Sequence, residues 1–144
     1  SFFRFEDLRV YDKALDYFKW VMQQSESASD FEKKVILKPL ALAASKIAEN
    51  IAEGSARHKP QFIQFLKDAK SEIRTCVVIS TLAFKNGVFD NEQYEQSHET
   101  LVEMTKMVGA MIVSLQKNGE RNQNSRSQIL DTDFNTDDSM SFEY

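Results

Sequence analysis

Apolar positions recur along this chain in steps of three and four, the spacing that aligns side chains on one face of a helix. In the first run, about residues 8–26, Leu8, Tyr11, Leu15, Phe18 and Met22 make one stripe. Val10, Ala14, Tyr17 and Val21 make a second beside it. Polar residues 23–28 then break the pattern. Ser29, followed three residues later by Glu32, has the form of a capping box and opens a second helix. Its stripe is Leu40, Ala44, Ile47 and Ile51, flanked by Val35, Ile36 and Leu37. Pro39 inside this run removes a donor and clashes with the carbonyl of Val35, which predicts a kink or a short separate turn. A third helix is expected to start near Pro60, carrying Phe62, Phe65, Leu66, Ala69, Ile73, Cys76, Val77, Ser80 and Phe84. After the turn Asn86-Gly87, Asp90 and Gln93 form another capping box. The fourth helix carries Leu101, Met104, Val108, Met111, Ile112 and Leu115 and is expected to stop at Asn118-Gly119. Gly54, Gly87 and Gly119 fall near the ends of runs, where a left-handed glycine commonly closes a helix.

Four helices joined by short loops pack most simply as an antiparallel up-down-up-down bundle, so the fold class is all-α. Leu15, Phe18, Ala44, Ile47, Ile51, Phe65, Ile73, Val108 and Ile112 are the expected core. Residues 1–118 make the bundle. Residues 119–144 are rich in Asn, Ser, Asp and Gln and read as an acidic polar tail, flexible or docked on a neighbour through Ile129, Leu130, Phe134, Phe142 and Tyr144.

Composition narrows the picture further. Only four glycines and two prolines occur among 144 residues, too few for a turn-dense β-sandwich or barrel. No stretch approaches the roughly 20 apolar residues of a membrane-spanning helix. The single cysteine, Cys76, excludes an intrachain disulfide and a cysteine-built metal site. With no signal-peptide pattern, a reduced cytoplasmic protein is expected. Lysines plus arginines balance aspartates plus glutamates over residues 1–118. The tail sets Arg121 and Arg126 against six carboxylates and so holds the whole net charge of −4. A neutral body exerts no strong long-range field, so a nucleic-acid contact has to come from a local patch. The compact basic cluster is Arg57, His58 and Lys59, at the turn between helices two and three.

Other constellations are weaker. Glu95 and His98 have the Glu-x-x-His spacing of a di-iron ligand pair, but such a centre needs a second pair, and the other histidine, His58, has no glutamate three residues before it. A solvated helix surface is the plainer reading, and no metal or cofactor is expected. Cys76 lies on the inner stripe of helix three and is expected to be buried and inert. Glu49 and Glu53 share a helix face and read as structural or interface carboxylates. Serines, aspartates and histidines form no triad, and no glycine loop could cradle a phosphate. The second apolar stripe of helix one, with Tyr17, Trp20 and Val21, is wider than one buried face requires and is assigned to an oligomer interface.

Three runs, Phe5-Glu6-Asp7-Leu8-Arg9-Val10-Tyr11, Asn50-Ile51-Ala52-Glu53-Gly54 and Phe62-Ile63-Gln64-Phe65-Leu66, resemble a known family. It comprises the four-helix-bundle proteins first noticed as products of intervening sequences in bacterial 23S rRNA genes. The segment from Asn86-Gly87-Val88-Phe89-Asp90 to Tyr94 is similar too, and the likeness spans nearly the whole bundle. The resemblance implies a homopentamer around a central channel, without catalytic activity, and makes Asn50, Glu53 and Gly54 a structural or assembly signature. It also implies distant kinship with the accessory variability protein of diversity-generating retroelements, a similar pentamer that binds a reverse transcriptase and nucleic acid. The chain departs from the family's usual Gln-Leu-Arg-Arg stretch, with Pro39-Leu40-Ala41-Leu42 in its place and two basic residues fewer. The leading expectation is a non-enzymatic homo-oligomeric adaptor acting with RNA, DNA or a nucleic-acid enzyme. The alternative is a protein-interaction scaffold without nucleic-acid contact.

Overall fold

Helices form where the periodicity predicts them, and no strand occurs among the described residues. A computed structural model describes the backbone of residues 1–122 and the side chains of residues 1–118. A single 3₁₀ turn, Arg4–Asp7, precedes α1, Arg9–Gln24. The second helix, α2, is composite: a first turn Asp30–Glu32, a π-helical stretch Lys33–Leu37 and a body Lys38–Ser55. Helix α3 spans Lys59–Lys85, and α4 spans Asn91–Asn122. The chain divides into the unit Ser1–Val108 and a second unit beginning at Gly109. Within Ser1–Val108 the helices make an antiparallel four-helix bundle. Lys13 pairs with Glu103, Trp20 Nε1 donates to Gln96 Oε1 at 3.0 Å, and Gln93 Nε2 donates to Gln24 Oε1 at 2.8 Å. Residue numbers rise along α1 as they fall along α4, so the two helices run in opposite directions.

Local chemistry sets the boundaries. At the start of α2 the Glu32 amide donates to Ser29 Oγ (3.2 Å) and the Ser29 amide to Glu32 Oε1 (3.0 Å). Asp90 and Gln93 exchange the same reciprocal bonds, both 2.8 Å, ahead of α4. Gly87 alone among the described residues has positive φ, 73°, at the turn after α3. Just before Pro39 a π turn, Lys33–Leu37, bonds the Lys38 amide to the Lys33 carbonyl, a short irregular turn where the proline predicts one, and α-helix resumes at Lys38. Two expectations need correcting. Gly54 lies inside α2 without positive φ, so it is no left-handed cap. Helix α4 runs through Asn118-Gly119 to Asn122. The remainder of the expected tail, 123–144, lies outside the described residues.

The core is built from one stripe per helix. Within Ser1–Val108, Ala44, Ile47, Ile51, Ile73 and Val108 are buried as expected. On α1, however, the two stripes exchange roles. Val10, Ala14, Tyr17 and Val21 are buried, whereas Leu15 and Met22 are exposed and Phe18 is only half-buried, as is Phe65 on α3. Tyr17 and Val21 are therefore core residues of the protomer, not candidates for an oligomer interface. Trp20 is half-buried by its own protomer, with its ring 5.5 Å from Phe89 and 5.9 Å from Tyr17. The slimmer stripe wins because Val10, Ala14 and Val21 let α1 approach its neighbours closely, while Tyr17 finds buried partners for its hydroxyl.

Ile47 has 0 % exposure at the centre of α2. Ile47→Ala is expected to cost about 2–5 kcal/mol by lost transfer energy plus the cavity left behind. Urea unfolding should show it as a lower midpoint with unchanged m-value.

Candidate functional site

The end of α2, residues 56–58 and the start of α3 form a helical hairpin that holds both residue groups singled out above. In the Asn50–Gly54 run each residue has a separate task. Asn50 Nδ2 donates to the Lys46 carbonyl at 2.9 Å, and Ile51 is fully buried. Ala52 lines a groove against α1. Glu53 Oε2 accepts from Arg57 Nε at 3.0 Å, a pair one helical turn apart. Gly54 is buried where α2 and α3 meet. A Cβ placed there would lie 2.7 Å from Phe65 Cβ and 2.9 Å from Phe62 Cδ1. Glycine is demanded here by close approach of two helices, not by an unusual φ.

Arg57, His58 and Lys59 are all exposed at this hairpin. The Arg57 guanidinium sits 5.4 Å from the centroid of Phe65, so the glutamate and the aromatic ring together orient it. His58 occupies the N-cap of α3 in extended conformation, and no side chain caps that end. Pro60 sits in the first turn, where its missing N–H costs nothing. Uncapped first-turn amides and the positive end of the helix dipole thus face outward beside two cationic side chains and a histidine, an arrangement suited to anions.

A buried hydroxyl cluster escaped the sequence reading. Tyr17 Oη lies 2.8 Å from Ser97 Oγ and 3.3 Å from Ser80 Oγ, and the two serines are 2.6 Å apart. It joins α1, α3 and α4 in the bundle interior. The available signal was a serine at an inner-stripe position on each of two helices, facing a tyrosine on a third. Burial is the leading cause that pushes Tyr17 from its ordinary 10.0 up to about 12. Burial likewise lifts Cys76 from 9.0 to about 12, with the carboxylate of Glu72 adding to it. Neither group is poised for nucleophilic or acid–base work at neutral pH. Glu95 and His98 are exposed, and among the described residues no cluster of three or more His, Cys, Asp or Glu could hold a metal ion. No helix among them is long and apolar enough to cross a membrane.

Two outcomes follow from this packing. Gly54→Ala gains helix propensity of about 1 kcal/mol but forces apart two helices whose contact atom, Phe65 Cβ, is fixed to the backbone. A net loss of about 1–2 kcal/mol is expected in thermal or urea unfolding. Cys76 and Tyr17 stay protonated in the native state over a range where the unfolded chain has released those protons. The unfolded state then binds fewer protons, so stability should fall as pH rises from about 9 toward 12, by up to about 1.4 kcal/mol per pH unit for each group. Unfolding midpoints across that window check the sign, and Cys76→Ala should reduce the slope.

No curated protein matches the chain significantly. The family model described as 23S rRNA-intervening sequence protein matches residues 6–110, a span that holds the hairpin, its glycine contact and the buried hydroxyl cluster. On that match, the chain belongs to the 23S rRNA-intervening sequence protein family.

Proposed function

We propose that this protein is a non-enzymatic homo-oligomeric adaptor, most simply a pentamer, which acts in the cytoplasm with RNA or DNA or with a nucleic-acid enzyme such as a reverse transcriptase. The observation that carries the reading is the exposed cluster of Arg57, His58 and Lys59 at the uncapped start of α3. One such cluster on a neutral body is a weak polyanion site. Repeated around a closed ring, several of them become multivalent, and linked weak contacts multiply effective affinity. Family membership supports an association with rRNA genes. The buried, protonated Cys76 and the absence of a metal-suited cluster among the described residues favour an adaptor over an enzyme.

The scaffold alternative draws on one observation: the Glu53 carboxylate already accepts from Arg57 and offsets part of the local positive charge. Salt dependence separates the two readings. Retention on single-stranded RNA or DNA at low salt should fall steeply with added salt, because phosphate contacts release counterions. Lys59→Gln should weaken retention for every sequence alike and lower the log–log salt slope by about 1 for each phosphate the protein no longer neutralises. Removing residues 119–144, which hold the whole net charge of −4, should strengthen retention. A protein that ignores nucleic acid at low salt with and without those residues supports the scaffold instead.

A further inference from the structure

Two of the apolar surfaces of Ser1–Val108 have no partner among the described residues, and they differ in charge. One is concave: a groove of about 340 Å³ between α1 and α2, lined by Leu15, Phe18, Ala44, Ala48 and Ala52, with Glu49 contributing its only charge. The alanines fall four residues apart, so this flank of α2 carries no large side chain to fill the space. Leu15 on its wall is 44 % exposed. Glu49 accepts a hydrogen bond from Ser45 Oγ at 3.1 Å and joins no ion pair among the described residues.

The other surface lies on α3. Val78 and Leu82, 58 % and 50 % exposed, stand four residues apart as a ridge on α3, which contributes nothing to the groove. Arg74, four residues before Val78, and Lys85, three beyond Leu82, lie on the same side of the helix. Arg74 donates to Ser71 Oγ at 3.1 Å and meets no carboxylate among the described residues.

We propose that the α1/α2 groove of one protomer receives the Val78/Leu82 ridge of a second copy of this chain, with Glu49 of the groove facing Arg74 beside the ridge. The inference rests on the homo-oligomer reading above and adds the mating surfaces. Charge complementarity selects the occupant: a carboxylate-bearing apolar groove fits a cation-flanked apolar ridge, and the chain carries both. The two surfaces are different, so the contact is head-to-tail. With one groove–ridge contact between successive copies, each added copy leaves one groove and one ridge free until a ring closes.

Leu15→Glu spoils the groove and Val78→Glu spoils the ridge, both at exposed positions where helical circular dichroism should be preserved. Light scattering at micromolar concentration should give the wild type a mass several times the 16.6 kDa protomer, and each variant alone the mass of a single protomer. A 1:1 mixture should recover one intact contact, between the groove of Val78→Glu and the ridge of Leu15→Glu, and so give a 1:1 heterodimer but no ring. Where a variant loses helicity, the milder Glu49→Lys and Arg74→Glu replace it: each should lower the mass, and the two in one chain should restore it. A wild type that is monomeric overturns the oligomer reading and this inference with it. An oligomeric wild type whose variants keep its mass, or a mixture that gives no heterodimer, overturns the groove-and-ridge contact alone. Milder variants whose combination fails to restore the mass do the same.

Discussion

The contact between Gly54 on α2 and the Phe62 ring and Phe65 Cβ on α3 is the constraint on which much else rests. A single hydrogen in place of a side chain lets two helices approach so closely that a Cβ would come within 2.7 Å of Phe65 Cβ. That approach keeps the hairpin tight, and the tight hairpin brings Arg57, His58 and Lys59 out together at one end of the bundle. Phe65 serves twice, closing over Gly54 and lying beneath the guanidinium of Arg57. Glu53, one residue before the glycine, holds the same guanidinium from its own helix. The Asn50–Gly54 run is thus a packing device that also orients the charges beyond it.

A second constraint comes from the hydroxyls at the centre. Tyr17, Ser80 and Ser97 satisfy one another out of reach of water, where an unpaired hydroxyl would cost about 1–3 kcal/mol. The bonds fix the rotation of α1 about its own axis. With Tyr17 turned inward, Val10, Ala14 and Val21 follow it into the core, and Leu15 and Met22 are turned out. The proposed docking groove is a consequence: the bulky stripe of α1 lies over small residues of α2 instead of over the bundle core.

Electrostatics set the terms for partners. A body with balanced charge has little long-range pull on polyanions, so the proposed nucleic-acid contact depends on local geometry and repetition. Several charges are already engaged inside the protomer, Arg57 by Glu53 and Lys13 by Glu103. Exposed pairs of this kind add little stability, in the range of about 0–1 kcal/mol, and matter more for where they hold their side chains.

The helices, both capping boxes, the turn at Gly87 and the family were legible in the sequence, because they depend on neighbours within about one helical turn or on a contiguous run. The cluster Arg57-His58-Lys59 was legible for the same reason, since a turn between two helices exposes whatever it contains. The choice between the two stripes of α1 was not. Both obey the helical period, and what separates them is a tyrosine finding two serines 63 and 80 residues away. The glycine of the Asn50–Gly54 run reads locally as a helix end, yet its role is to admit Phe62 and Phe65 from another helix. Period, caps and turns are local free energies that the chain carries with it; which face turns inward is decided only when helices distant in sequence compete for the same interior.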